Sequence, residues 1–258
     1  MILRSVRTAD PANLGDPEPA FDLFLKTQRD NSQPCRPILQ STHSHLAGEL
    51  AARLTSEPFG LLADEAIQAV RQHDYGWISS DLKQLSNKPT QTLRPFPELD
   101  ASEKISNWKD CIRLAESASP LMGVLVSRHF CMIAADAEYS IDARFLEEET
   151  TRRKDIERRL PQSSEDLDRW TAALGFCDLI SLYLCSGTRE PAEFALCHPA
   201  DRVARKQARK TVLTWNGDCL HFESPVIAAG TRVSQYVMTI NTADGRVYDA
   251  DTLHWEFN

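Results

Sequence analysis

The stretch "AIQAVRQHDYGW", residues 66–77, has the pattern of an amphipathic helix with an imidazole and a carboxylate on its apolar side. Ala66, Val70, His73 and Asp74 follow at helical steps and therefore share one face. An ionised carboxylate that is buried without a partner costs several kcal/mol. An inward-facing pair of His73 and Asp74 therefore requires a cation, a hydrogen-bond network or a metal ion.

Three further segments with helical periodicity direct polar side chains toward the interior. In "QSTHSHLAGELAARL", residues 40–54, His43 is in line with the apolar stripe, whereas His45 lies on another side and is expected at the surface. His129 and Asp178 are in line with leucines in two strongly apolar segments. Four helices that are distant in sequence thus each bring an imidazole or a carboxylate to the interior.

A divalent metal ion is the simplest partner for these groups. His43 and His73 offer two imidazole nitrogens, and Asp74 and Asp178 offer two carboxylates whose charge the ion neutralises. Such an ion keeps positions open for water and lowers the pKa of that water toward neutrality. The sequence therefore predicts a divalent metal site, although it does not distinguish Mn, Fe, Mg, Ni, Co and Zn.

The periodicity changes along the chain. Helical patterns dominate up to about residue 205, and short alternating runs with Asn-Gly and Asp-Gly turn signals follow. We expect a mainly α fold with a small C-terminal antiparallel β appendix. Its parts would be an N-terminal extension packed on the body (residues 1–39), a helical domain (residues 40–205) and a small β-rich subdomain (residues 206–258).

Composition limits the partners. The chain has 258 residues, of which 42% are hydrophobic, so it can form an ordinary packed core. Its net charge of -8 repels nucleic-acid backbones and anionic membrane surfaces. We therefore expect neither a nucleic acid nor a membrane as partner. A small anionic substrate remains compatible, because a bound cation dominates the charge of a single site.

Cysteine usage and the lack of targeting signals indicate the compartment. The seven cysteines include no C-x-x-C pair, which argues against a disulfide framework and a zinc ribbon. The first residues lack the apolar run of a signal peptide, and no stretch of about 18 apolar residues could span a bilayer. We expect a cytoplasmic protein, with an oligomeric state that the sequence does not indicate.

The order of the candidate ligands resembles a known signature. His43, then His73 with Asp74, then Asp178 resembles the H…HD…D signature of the HD-domain superfamily of metal-dependent phosphohydrolases. A closer resemblance is to a bacterial HD-like family of unknown function, and it rests on the blocks "QSTHSHLAG", "HDYGW", "VLVSRH" and "DLISLYLC". Gln40 and His43 match the Gln-x-x-His element of that family. The resemblance covers roughly residues 40–185.

This resemblance implies an HD-domain-like helical bundle that binds one or two divalent metals and hydrolyses a small phosphorylated metabolite or a nucleotide. By position, His43, His73, Asp74 and Asp178 would be metal ligands, and Asp74 would also orient the attacking water. His129 matches no obligatory ligand. It could bind phosphate, support a ligand, bind a second metal or be an ordinary core histidine.

Two points stay open at this level. The phosphate-binding group is not identified, because Arg71, Lys83, Arg94 and Arg128 are indistinguishable from surface cations. The same ligand set also suits an HD-type di-iron oxygenase, or a non-catalytic scaffold stabilised by metal, because a fold does not determine chemistry.

Overall fold

The computed structural model describes residues 1–5, 15–28, 35–55, 57–86, 93–136, 143–240 and 247–258. Within this part of the chain the helices are α1 (Ala20–Gln28), α2 (Gln40–Ala51), α3 (Asp64–Gln72), α4 (Ile78–Ser86), α5 (Ala101–Ala118), α6 (Pro120–Asp136), α7 (Ala143–Glu157), α8 (Ser164–Ser186) and α9 (Arg202–Gln207). None of these described helices has the length and hydropathy needed to cross a bilayer.

Helix α8 is the centre of the helical layer. It begins where the Ser163 side chain accepts a hydrogen bond from the backbone N–H of Asp166, and it ends at Gly187, whose positive φ of 82° suits glycine. From Leu174 to Ser186 every residue is buried, so this helix is enclosed on all sides. Helices α2, α3 and α6 contact it, which brings their inward faces to one place.

The strands are β1 (Ile2–Ser5), β2 (Glu18–Pro19), β3 (Cys35–Ile38), β4 (Ala192–Ala195), β5 (Lys210–Asn216), β6 (Cys219–Phe222), β7 (Thr231–Ile240) and β8 (Val247–Phe257). They form one mixed sheet in the order β1-β3-β7-β8-β6-β5-β4-β2. The β2–β4 and β6–β8 pairs are parallel and the other pairs are antiparallel. The long strands β7 and β8 pair with each other. Strand β7 also pairs with β3, which in turn pairs with the N-terminal strand β1.

This sheet corrects the predicted fold class. Helix accounts for 56% of the structure and strand for 20%, so the protein is not an HD-like helical bundle with a small C-terminal β appendix. Strands from the predicted extension, the predicted helical domain and the predicted β subdomain all join the same sheet. The physical reason is that β1 and β3 are only four residues long and pair with distant partners, as in Cys35 opposite Ile240, which local periodicity does not reveal.

Candidate metal centre

The helical layer places the predicted ligands around one cavity. His43 lies on α2, His129 on α6 and Asp178 on α8. His73 and Asp74 lie in the turn that follows α3, because the helix ends at Gln72 and a short 3₁₀ helix begins at Tyr75. All five residues line the cavity, and each residue as a whole is at most 8% exposed. The pair predicted to sit on a helix thus sits on a turn.

Ligand atoms approach each other closely in this cavity. His43 Nε2 lies 2.8 Å from Asp74 Oδ2, and His73 Nε2 lies 3.3 Å from Asp178 Oδ1 and 3.7 Å from Asp74 Oδ2. Two overlapping groups have all ligand atoms within 4.8 Å: His43 with His73 and Asp74, and His73 with His129 and Asp178. Metal–ligand bonds of about 2.0–2.2 Å at right angles place neighbouring ligand atoms roughly 3 Å apart, so these spacings suit a common ion.

Hydrogen bonds fix the tautomer of His43. The Ser181 hydroxyl donates its only proton to the Asp178 carbonyl at 2.8 Å. The Ser181 oxygen, 2.9 Å from His43 Nδ1, therefore accepts a hydrogen bond from that nitrogen. In the neutral ring Nε2 then carries the lone pair, and it faces Asp74. A nitrogen lone pair and a carboxylate oxygen repel each other unless a proton or a cation lies between them.

His73 is oriented in the same way. Its Nδ1 donates to the backbone carbonyl of Val70 at 2.7 Å, which leaves Nε2 as the free ligand atom. Among the described residues, this buried Nε2 has no hydrogen-bond partner. Burial opposes protonation of His73, but Asp74 and Asp178 outweigh burial and raise its pKa to about 9. The site therefore attracts a positive charge at this nitrogen, either a proton or a metal ion.

Asp74 balances the histidines. Burial opposes its ionisation, but His73 and His43 outweigh burial and lower the pKa of the Asp74 carboxyl below its usual range. An ionised carboxylate in a buried position is maintained only when cationic partners accompany it. Asp74 is thus a constant negative charge at the centre of the site, as a carboxylate ligand to a metal must be.

His129 differs from the other two histidines. The backbone N–H of Ala200 donates to His198 Nδ1 at 3.1 Å, so the proton of the neutral His198 ring is on Nε2. That Nε2 lies 2.9 Å from His129 Nδ1 and donates to it. The proton of the neutral His129 ring is consequently on Nε2, 3.7 Å from Asp178 Oδ2. Burial and the neighbouring His198 lower the pKa of His129 well below its usual value, so the ring is neutral.

This arrangement makes His129 a hydrogen-bond donor and not a metal ligand. In the second group of three, with His73 and Asp178, His129 would have to offer a lone pair on Nε2, where the contact with His198 places a proton. The ring of His198 packs closely against Gly175 on α8, where an added Cβ would come within 2.5 Å of the ring. The first group, joined by Asp178 through its contact with His73, is the better metal site.

The cavity itself is small and largely apolar, with a volume of about 100 Å³. We call six of its side chains the apolar wall: Phe21, Phe96, Trp108, Phe130, Ile133 and Leu182. Phe21 is 42% exposed, so it marks the side of the cavity that reaches solvent. A site of this size holds an ion with its nearest waters and is open to a larger molecule on one side.

Three polar side chains join the apolar wall. Lys104 on α5 is 8% exposed, and its ammonium donates to the Pro97 carbonyl at 3.0 Å. Burial lowers the pKa of Lys104. Gln40 Oε1 and Trp77 Nε1 are buried without a hydrogen-bond partner among the described residues, although both side chains line the cavity. Unpaired buried polar atoms are costly, so these two indicate a ligand or water that completes them.

The structure places the candidate phosphate-binding cations elsewhere. Arg71 pairs with Glu49, Arg94 with Glu103, Arg128 with Glu157 and Asp168, and Lys83 is exposed on α4. None of these four is among the described residues that line the cavity. The cation in the cavity is Lys104, which sequence reasoning missed because a lysine in an amphipathic helix resembles a surface residue.

Two further functional residues were missed for similar reasons. His198 lies in a loop after β4, where no periodicity indicates its direction, and Ser181 is one of many small polar residues in an apolar helix. The i, i+3 spacing of Asp178 and Ser181 on α8 is the signal that could have identified the serine, since such residues share a face.

Comparison with known proteins gives one family. No curated protein and no solved structure matches the chain. One family model matches residues 28–224, about three quarters of the chain, and this match includes every candidate metal ligand. The chain therefore belongs to the family described as "Protein of unknown function (DUF3891)".

Proposed function

We propose that this protein is a metal-dependent hydrolase that cleaves a phosphate ester of a small molecule. It would share its order of ligands, His43, His73 with Asp74, and Asp178, with phosphohydrolases of the HD type, but not their fold. The observation that carries the proposal is the buried, unpartnered Nε2 of His73 between two carboxylates. A metal-binding histidine usually donates its other ring N–H to a carbonyl or carboxylate, as His73 donates to Val70, and this hydrogen bond directs the free lone pair at the metal.

The residues present fit a divalent ion. His43 Nε2, His73 Nε2, Asp74 and Asp178 would hold it, two neutral nitrogens and two carboxylates in total. Their net charge of two negative units matches the ion, which removes the need for protons on either histidine. When bound, the ion would lower the pKa of a coordinated water and polarise a phosphoryl oxygen.

The chain's own groups would carry the remaining steps. Water adds to phosphorus, the P–O bond to the leaving alcohol breaks, and the proton lost by the water ends on the alcohol. Asp74 would orient the water, and the Nε2–H of His129 would donate a hydrogen bond to a phosphoryl oxygen as negative charge develops there. The Lys104 ammonium would attract the anionic substrate into the cavity.

One observation favours a second candidate function. The overlapping group of His73, His129 and Asp178 could hold another metal, and an HD-type di-iron oxygenase requires a second ion. The proton that His198 directs onto His129 Nε2 argues against this candidate. A non-catalytic scaffold stabilised by a single metal is the third possibility.

Elemental analysis combined with activity assays separates the three. We expect one divalent ion per chain and release of inorganic phosphate from at least one compound in a panel of small phosphate monoesters. Two irons per chain with oxygen consumption would support the oxygenase. A metal-loaded protein that is inert to every phosphate ester and to oxygen would support the scaffold. Protein without metal, even after incubation with Mn²⁺, Fe²⁺ or Zn²⁺, would overturn all three.

A further inference from the structure

We propose that the cavity selects small phosphate monoesters with an apolar leaving group and excludes nucleotides and sugar phosphates. This inference rests on the proposed function and specifies its substrate class. It is narrower than the sequence-based expectation, which allowed a nucleotide as well as a small phosphorylated metabolite. Size, the chemistry of the wall and the position of the polar groups each support it.

The volume sets the first limit. The enclosed space of about 100 Å³ is smaller than the roughly 150 Å³ cavity that accommodates a benzene ring. The ion and the phosphoryl group of a small ester such as phenyl phosphate fill this space, and the leaving group lies along the apolar wall toward the open side at Phe21. A nucleoside monophosphate has about twice as many heavy atoms as such an ester, and its base and sugar would have to remain outside.

The wall sets the second limit. The rings of Trp108 and Phe130 are stacked with centroids 5.3 Å apart, and Ile133 and Leu182 complete the same lining. These side chains offer no hydrogen-bond partner to a sugar hydroxyl, apart from the indole of Trp108. A hydroxyl buried without a partner is disfavoured, whereas a phenyl or alkyl group gains from contact with this wall.

Polar groups in the cavity suit only the phosphoryl end. The ligand set, the Lys104 ammonium and the unpartnered Nε1–H of Trp77 all stabilise negative charge or accepting oxygens. The unpartnered Oε1 of Gln40 accepts a hydrogen bond, and a water beside the phosphoryl group can donate it. Gln40 lies one turn before His43 on α2, so its amide faces the same end of the cavity as the ligands.

Binding of two non-hydrolysable phosphonates and one nucleotide tests this inference. Isothermal titration calorimetry of the metal-loaded protein would compare methylphosphonate, phenylphosphonate and adenosine 5′-monophosphate. We expect phenylphosphonate to bind at least about tenfold more tightly than methylphosphonate, because the ring contacts the apolar wall. We expect adenosine 5′-monophosphate to bind no more tightly than methylphosphonate. Equal affinity of the two phosphonates, or tightest binding of the nucleotide, would overturn the inference.

Variants of the wall and of the lysine separate the two ends of the cavity. Ile133→Phe fills the apolar end of the cavity. It should therefore weaken the binding of phenylphosphonate about tenfold and leave the binding of methylphosphonate unchanged. Where this variant does not fold, Ile133→Ala removes wall contacts and should weaken phenylphosphonate severalfold with the same selectivity. Lys104→Met should weaken both phosphonates about tenfold. Lys109→Met is its control, since Lys109 lies on the same helix but pairs with Glu148 at the surface.

The assays distinguish failure of this inference from failure of the proposed function. Tight binding of phenylphosphonate without hydrolysis of phenyl phosphate would overturn the proposed hydrolase activity but support the proposed class of ligand. Hydrolysis of nucleotides or sugar phosphates in preference to phenyl phosphate would support the proposed hydrolase activity but overturn the proposed class of ligand. Uniform loss of both phosphonates in Ile133→Phe, with metal content and helical content unchanged, would show that the wall does not select the leaving group.

Discussion

His43 Nε2 and Asp74 Oδ2 lie 2.8 Å apart although they come from different elements of the chain. His43 is fixed from behind by Ser181 on α8, and Asp74 is fixed by the turn after α3. Three elements therefore converge on one contact between a nitrogen lone pair and a carboxylate. Such a contact is favourable only when a proton or a cation shares it, so the fold itself prepares the place of the ion.

The two histidines of α2 provide a matched test of this contact. His43→Ala removes a proposed ligand and should reduce bound metal by at least about tenfold, with helical content retained. His45→Ala, two residues further along the same helix, changes an exposed side chain and should keep the full metal content. Elemental analysis and circular dichroism of both variants measure this. Equal metal content in the two variants would contradict the ligand assignment.

Stability of the metal-free protein should fall as the pH rises. Burial opposes protonation of His73, but Asp74 and Asp178 hold its pKa at about 9, above its ordinary 6.5. A raised pKa in the folded state stabilises the protein fully below pH 6.5, and this contribution is lost as the pH rises through 9. The full loss is on the order of 3 kcal/mol, at about 1.4 kcal/mol for each pKa unit.

Urea unfolding of chelator-treated protein between pH 6 and pH 8.5 measures this loss. His73→Asn has no ionisable ring at this position, so its stability should vary less over the same range. Metal-loaded protein should show the opposite trend, because the ion replaces the proton and binds more tightly as protons leave. A stability of the chelated wild type that does not change over this range would contradict the pKa.

The polar residues of the site could be predicted from the sequence wherever the helical periodicity was strong. Apolar residues at helical steps on α2 indicated that His43 faces inward and His45 outward, and the structure agrees for both. The same reasoning gave the buried positions of His129 and Asp178. It placed His73 and Asp74 on a continuous helix, but in the structure the helix ends at Gln72 and both residues lie in the turn that follows.

Long-range partners were not accessible in this way. His198 contacts His129, 69 positions earlier in the chain, and Lys104 lines a cavity formed by distant segments, so no local pattern distinguishes either residue from a surface residue. The sheet was underestimated for the same reason, because β1 and β3 are too short for periodicity and depend on distant pairing, β1 with β3 and β3 with β7. Predictions that depend on tertiary contacts fail where local propensity is weak.

The contact between His198 and His129 makes a separate prediction. His198→Ala removes the donor to His129 Nδ1, so the proton of His129 is no longer confined to Nε2. Long-range ¹H–¹⁵N spectra should show the Nε2–H tautomer of His129 in the wild type and a mixture in the variant. His198→Gln keeps an N–H donor and should restore much of the wild-type pattern. His254→Ala, at an exposed histidine, is the control. A wild-type spectrum with a protonated Nδ1 on His129 would contradict the assignment.

The turn that carries His73 and Asp74 depends on Gly76. A Cβ at this position would lie 2.3 Å from the backbone nitrogen of Cys111 and 2.7 Å from the carbonyl oxygen of Asn107. Both are backbone atoms of α5, which cannot give way as a flexible side chain would. Gly76→Ala must therefore displace the turn from α5, at a cost of about 3 kcal/mol.

Because Asp74 lies two residues before this contact, the displacement should also reduce metal binding in the fraction of Gly76→Ala that folds. Gly15→Ala is the matched control, since an added Cβ there meets nothing within 4 Å. Urea unfolding and elemental analysis measure the two effects separately. Wild-type stability and full metal content in Gly76→Ala would show that the packing of the turn on α5 does not position the site.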